Sequence, residues 1–345
     1  MRRHLLSTLT LFLLSPILAE MLSGSAPPAQ WLQPATWFFV VGLYGPGVVL
    51  ARELSIRWRT GIAGVLLLGA AYGILEEGLD VMSFFNTAWP DLGNAAFYGR
   101  WMDTSWMWSV HLTGFHAVFS IAIPILIVHL IFPSVRGEPW LGCLGMGVME
   151  ALLFLSAAGG NLLFRQAFSY TPPALPYLGA ILAVILLVLA ARRLRPPASD
   201  PVLESVELPH AGLYWLAGFL LTVAFFVCGW VIPATSIPPA LDILLILALS
   251  AIALAIVLRS ARHGARFTDS RKLALAAGGL TFFLLLTPIL AQRGSDPNTG
   301  ESFAGIGCVG LTATSLLLLL ILAVRRRDRK TSRNLVQPLP LPPPH

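Results

Sequence analysis

Ten apolar stretches of close to 20 residues divide this chain, at 4–22, 31–51, 61–82, 106–132, 140–164, 173–191, 211–232, 237–258, 273–291 and 305–324. A helix of that length rises about 30 Å, the thickness of a bilayer's hydrocarbon layer. Backbone amides find no water there, so each stretch must be helical. The expected fold class is all-α, a polytopic transmembrane helix bundle of ten spans. It forms one integral domain, 1–324, followed by a basic and then proline-rich tail, 325–345, read as disordered because it is too polar to build a core. Composition agrees: 56% of residues are hydrophobic and 12% charged, against about 25% charged in an average soluble domain. A soluble enzyme with one anchor, a secreted disulfide scaffold and a disordered regulator are excluded.

Charge fixes the expected orientation. Of the 23 lysines and arginines, all but Arg100, Arg165 and Arg293 fall in segments on one side of the ten-span thread. Under the positive-inside rule that side is cytoplasmic and carries both termini. The excess of arginine over lysine fits a GC-rich genome, so the expected home is a bacterial plasma membrane. The basic residues form short runs beside apolar segments rather than a basic face, so the lipid bilayer and not nucleic acid is the expected partner. Cys143, Cys228 and Cys308 lie singly in apolar runs and imply neither a disulfide nor a zinc–thiolate site.

Three segments carry further expectations. Met1-Arg2-Arg3 before the apolar run Leu5 to Ala19 has the outline of a signal peptide, but its cleavage region is poor, and an uncleaved helix is expected. Ser15-Pro16-Ile17-Leu18-Ala19-Glu20 resembles Thr287-Pro288-Ile289-Leu290-Ala291-Gln292, which a parallel internal repeat or chance explains. The aromatic, nearly uncharged loop 83–105 reads as an interfacial anchor or as a lid.

Ionisable groups inside hydrocarbon cost about 2.5–3.5 kcal/mol each and ask for a reason. Span three ends with Glu76, Glu77 and Asp80; span four begins with His111 and His116; span five carries Glu150 and Asn161. Glu76 and Asp80 are four apart and share a helix face, whereas His111 and His116, five apart, point about 140° from each other. Glu77 and His111 lie about 8 Å below the outer helix ends and His116 about 15 Å. Neighbouring spans therefore bring the acids and an imidazole to one level. Glu20 and Asp242 fall at outer helix ends, in the headgroup zone. His129 and His210 have no partner in view. The run Gly142, Gly145, Gly147, Ala151 and Ser156 to Gly160 predicts a tight core from spans three to five, with spans six to ten as scaffold.

Adjacent carboxylates beside a histidine suit acid–base chemistry, a proton relay, or one divalent metal such as zinc. The expected catalytic residues are Glu76, Glu77, His111 and His116, with Glu77 and His116 as metal ligands and Asp80, Glu150 and Asn161 as polar support. A di-glutamate in one helix followed by histidine in the next resembles the CAAX-protease and bacteriocin-processing family of intramembrane proteases. Its first motif, E-E-x-x-x-R, is matched at Glu76-Glu77, but Asp80 and Val81 stand where arginine is wanted. Its second, F-x-x-x-H, meets Leu112 before His116 and Met107 before His111. No later histidine begins H-x-x-x-[ND]; Asn161 is all that remains of it. The resemblance covers spans three to five and implies that Glu77 activates water while His116 positions it. More broadly the chain looks like an uncharacterised bacterial multi-pass membrane protein.

Three functions stay open: a metal-dependent intramembrane hydrolase, a proton-coupled transporter of a small solute, and a structural or assembly protein without catalysis. The substrate is a small molecule or a membrane-embedded one. The topology is checked by reporter fusions. A reporter that works only in the cytoplasm should be active at residue 336 and silent at residue 95; the reverse pattern refutes the orientation.

Overall fold

The computed structural model describes residues 2–195, 207–297 and 299–336. Ten helices there are long and apolar enough to span a membrane. They are α1 (Arg2–Met21), α2 (Pro34–Trp58), α3 (Gly61–Asp80), α4 (Trp106–Ile131), α5 (Cys143–Ala167), α6 (Ala174–Arg193), α7 (Ala211–Ala234), α8 (Pro239–Ala261), α9 (Asp269–Arg293) and α10 (Ile306–Val336). The fold is an all-α polytopic bundle. The last helix runs past the expected span end at 324. Arg327 donates to Leu130 O and pairs with Asp269, while Asp328 accepts from Ser270 N. These bonds hold the first part of the expected disordered tail as helix. Its proline-rich end, 337–345, and the loop residues 196–206 lie outside the described residues.

The centre of the bundle is not where the sequence places it. In α4, 67% of the most apolar window is buried, and in α2 61%, against 11% in α5, α6, α8 and α10. The core is therefore α2–α4 with α1, α7 and α9 around it, and α5 belongs to the rim. Its early glycines, Gly142 and Gly147, face open space. The helix touches the bundle along one side, through Met149 and Leu153 and then Ser156, whose Oγ donates to Phe38 O. Small residues permit close packing but do not say which helix face is used. Rim helices expose leucines along their length, as lipid-facing surfaces do.

Aromatic contacts join the two halves of the chain. Phe115 and Phe119 of α4 meet Phe226 of α7 and Phe283 of α9. Helices α7 and α9 cross at backbone contact: a methyl group added at Gly218 would sit 2.1 Å from Leu275 O. Ser15 of α1 donates to Ser120 O of α4 at 2.6 Å. The segments with similar sequence differ in structure. Ile17–Met21 of α1 is π-helical, while the α-helix containing Pro288 continues to Arg293.

One end of the bundle is basic and holds a buried ion pair. Arg52 and Glu53 are both fully buried, with Arg52 Nη1 donating to Glu53 Oε1 at 2.5 Å. Arg52 also donates to the carbonyls of Val135 and Arg136 and lies 3.5 Å over the Trp140 ring. Glu53 accepts from Trp140 N at 2.8 Å. The pair thereby clamps the loop between α4 and α5. His129 gains a partner here, Arg52 Nε at 3.3 Å. At the same end Arg3 donates to Ser134, and His4 pairs with Glu138.

At the other end, loop 81–105 folds into a cap. Phe84, Phe85 and Leu92 are buried, whereas Phe97 and Trp101 stand out. A hairpin of β1 (Arg100–Trp101) and β2 (Thr104–Ser105) closes it, turning at Met102 and Asp103, both at positive φ as a type I′ turn requires.

Removing one member of a buried ion pair leaves an unpaired charge, at a cost of about 3–5 kcal/mol. Glu53→Ala should therefore melt far below wild type in detergent. The double change Arg52→Met with Glu53→Leu should recover most of that loss. Equal melting of Glu53→Ala and wild type would remove the clamp from the account.

Candidate functional site

The acids and the histidine that come together lie in widened helical turns. Glu76, Glu77 and Asp80 sit in a π-helical end of α3, Leu75–Asp80. His116 opens a π stretch of α4, His116–Ala122, and Glu20 lies in the π end of α1. Such turns bond i to i+5 and recur at functional sites. A wider turn rotates successive residues less, so Glu76 and Glu77 face the same neighbour more closely than an α-helix would allow.

Close approach of two helices places the ring between the acids. A methyl group at Gly69 would sit 2.7 Å from Ala117 Cα, and one at Gly73 would sit 2.9 Å from His116 Cβ. This Gly-x-x-x-Gly face brings α3 and α4 into near-backbone contact, as small residues do in membranes. His116 Nε2 lies 3.2 Å from Glu77 Oε1, and Nδ1 lies 3.2 Å from Glu76 Oε2. Nδ1 also meets Ser120 Oγ at 2.9 Å. Only the Glu77 and Ser120 contacts have hydrogen-bond geometry, so Glu76 Oε2 is left without a hydrogen-bond partner. One ligand atom from each of Glu76, Glu77 and His116 lies within 4.8 Å of the others.

The surroundings are polar but short of cations. Ser83 Oγ donates to Glu77 and accepts from Trp108 Nε1 at 3.1 Å, which ties the cap to the site. The Tyr44 hydroxyl donates to Glu20, and Tyr44 and Tyr72 pack against His116 at ring separations of 5.9 and 6.0 Å. Tyr72 OH lies beside Glu76, and Asp80 Oδ1 is buried without a hydrogen-bond partner. Among the described residues no lysine or arginine forms an ion pair with Glu20, Glu76, Glu77 or Asp80. His116 is 1% exposed, Glu76 6% and Glu77 8%, so water screens this charge poorly.

Not every expected residue joins. His111 turns to the opposite side of α4, stacks on Phe225 at 4.3 Å and has no partner for either ring nitrogen. The five-residue spacing divides it from His116, and the site keeps one histidine. Glu150 is exposed on α5 and takes no part. Asp80 faces Gly160 of α5, where an added methyl would meet Oδ1 at 2.0 Å. Asn161 Nδ2 donates to Leu79 O at 2.6 Å, a carbonyl that also accepts from Tyr177. Asn161 therefore supports the π turn rather than the carboxylates.

Sequence reasoning passes over Glu20, Tyr44, Tyr72, Ser83 and Ser120. Glu20, assigned to the headgroup zone, is half-buried against Tyr44. Tyr72 stands four residues before Glu76 and Ser120 four after His116, a spacing that places them on the same helix faces. Asp242 lies in the first turn of α8, at the helix end as expected, and is buried there beside Cys228.

A ten-span helical bundle with a buried Glu–His–Glu group defines a class of multi-pass membrane protein. Comparison with curated proteins and with solved structures gives no match. A profile described as an uncharacterized membrane protein family matches residues 9–325, and the chain belongs to that family.

Gly73→Ala tests the close approach. Overpacking of this kind costs about 1–3 kcal/mol and here pushes α3 from His116. The expected result is a lower melting temperature, together with loss of any ligand the three residues hold. A variant that melts and binds as wild type would show that the glycine contact does not position the ring.

Proposed function

We propose that the protein is a metal-dependent intramembrane hydrolase centred on Glu76, Glu77 and His116. The observation that carries this reading is the convergence of three ligand atoms in a buried, cation-poor site. Two ligands about 2.0–2.1 Å from a tetrahedral zinc lie about 3.3 Å apart. The 3.2 Å between His116 Nε2 and Glu77 Oε1 fits that spacing. Two carboxylates and one imidazole leave a position open, as catalytic sites do. A divalent ion supplies Lewis acidity when bound.

The chain's own groups take the remaining roles. Ser120 orients the His116 ring through Nδ1, and Ser83 holds the Glu77 carboxylate, as outer partners of metal ligands do. Glu20 and Asp80, acids without a cation partner, are available to take up a proton. The buried cap residues Phe84 and Phe85 exclude bulk water. The family resemblance of Glu76-Glu77 and His116 points to the same reaction class, with a peptide or lipid bond inside the membrane as substrate.

A second reading, proton-coupled transport of a small solute, rests on a different observation. Each nitrogen of His116 lies beside a carboxylate, an arrangement that holds a proton without any metal.

Elemental analysis of protein purified without chelator separates the two. The hydrolase requires a stoichiometric divalent ion in the wild type that is lost in Glu77→Gln while that variant keeps its melting profile. Membranes from cells carrying Glu77→Gln should accumulate an uncleaved species that wild type removes. A metal-free wild type whose proteoliposomes take up solute along a pH gradient would replace the hydrolase with the transporter.

A further inference from the structure

A cavity of about 1000 Å³ lies on the other side of α4 from the Glu–His site. Gly114, Ala117 and Val118 of α4 line it, while His116 faces α3. Its remaining walls come from the end of α2, from α3, α7, α8 and α9 and from the loops after α4 and α8, and they are mainly apolar, with Leu66, Leu221, Leu254 and Val257 among them. On α8 the lining runs from Leu249 to Ala261, about 18 Å of helix. Half of a 30 Å hydrocarbon layer is about 15 Å, so the cavity has the depth of one leaflet.

The charged residues of the lining gather at the basic end: Arg59, Arg136, Asp269 and Lys272. Asp269 is shared by Arg136 at 3.0 Å, Lys272 at 3.5 Å and Arg327 at 2.9 Å. Among the described lining residues, three cations thus face one carboxylate. Arg59 forms no ion pair or hydrogen bond through its side chain among the described residues and is exposed. It also ends α2 in the left-handed conformation, φ 55 and ψ 45. Glycine takes that conformation without strain, so an arginine there has its use in the side chain.

An apolar slot one leaflet deep, opening under surplus positive charge, matches an amphiphile with a long apolar chain and an anionic head. We propose that this cavity binds an anionic membrane phospholipid. One acyl chain lies along α4 and α8, and the phosphate sits among Arg59, Arg136 and Lys272. The site is separate from the Glu–His centre and holds whichever reaction that centre performs.

The test is native mass spectrometry and thermal melting of the full chain in detergent, with phosphatidylglycerol, phosphatidylcholine or inorganic phosphate added. Phosphatidylglycerol should be retained and should raise the melting temperature more than phosphatidylcholine does. Arg59→Gln should weaken phosphatidylglycerol about fivefold, the worth of one basic residue at an anionic surface. Arg59→Gly should weaken it equally while melting no lower than wild type without lipid, since the strained turn is relieved. Ala253→Phe, which fills the cavity from the little-buried α8, should abolish retention. Three results overturn the proposal: equal retention of both lipids, retention by Ala253→Phe as in wild type, or stabilisation by inorganic phosphate alone equal to that by phosphatidylglycerol.

Discussion

Helices in lipid gain little from hydrophobic contact with one another, because lipid tails are as apolar as leucine. What holds α3 to α4 is the near-backbone contact at Gly69 and Gly73, reinforced where His116 meets the acids of α3. The polar group and the close contact need each other. Without the glycines the ring would stand off from Glu77, and without the ring the carboxylates would be buried with nothing opposite them. The most buried helices of the bundle surround this contact, and the cap reaches it through Ser83 and Trp108.

Much of the architecture is legible in the sequence because hydrocarbon imposes one answer on each long apolar run. The ten spans, their order and the level of Glu77 and His116 follow from hydropathy and the 1.5 Å rise. Lateral arrangement does not follow. The glycines of α5 and those of α3 look alike in sequence, yet only Gly69 and Gly73 meet the backbone of another spanning helix at the site. Glu20 was unreadable for the same reason, since its partner Tyr44 lies on another helix and nothing local marks the pairing. The π turns also escape a periodicity argument that assumes 3.6 residues per turn throughout.

Polar groups are concentrated at two levels. Near the basic end Arg52 and Glu53 fasten a loop, and every charge in that clamp has an opposite partner or a carbonyl. At the other level Glu76 and Glu77 flank one histidine, and among the described residues no lysine or arginine pairs with either acid. The first pattern is that of a satisfied structural network. The second leaves buried polar atoms without such a network, and the proposed function rests on it.

The rim helices α5, α6, α8 and α10, with only 11% of their most apolar windows buried, answer chiefly to the solvent around them. Many interchangeable apolar residues satisfy that demand at the exposed positions of those helices. The inner helices have no such latitude. Sequence constraint is therefore expected to be tighter in α2, α3 and α4 than on the lipid-facing sides of the rim helices.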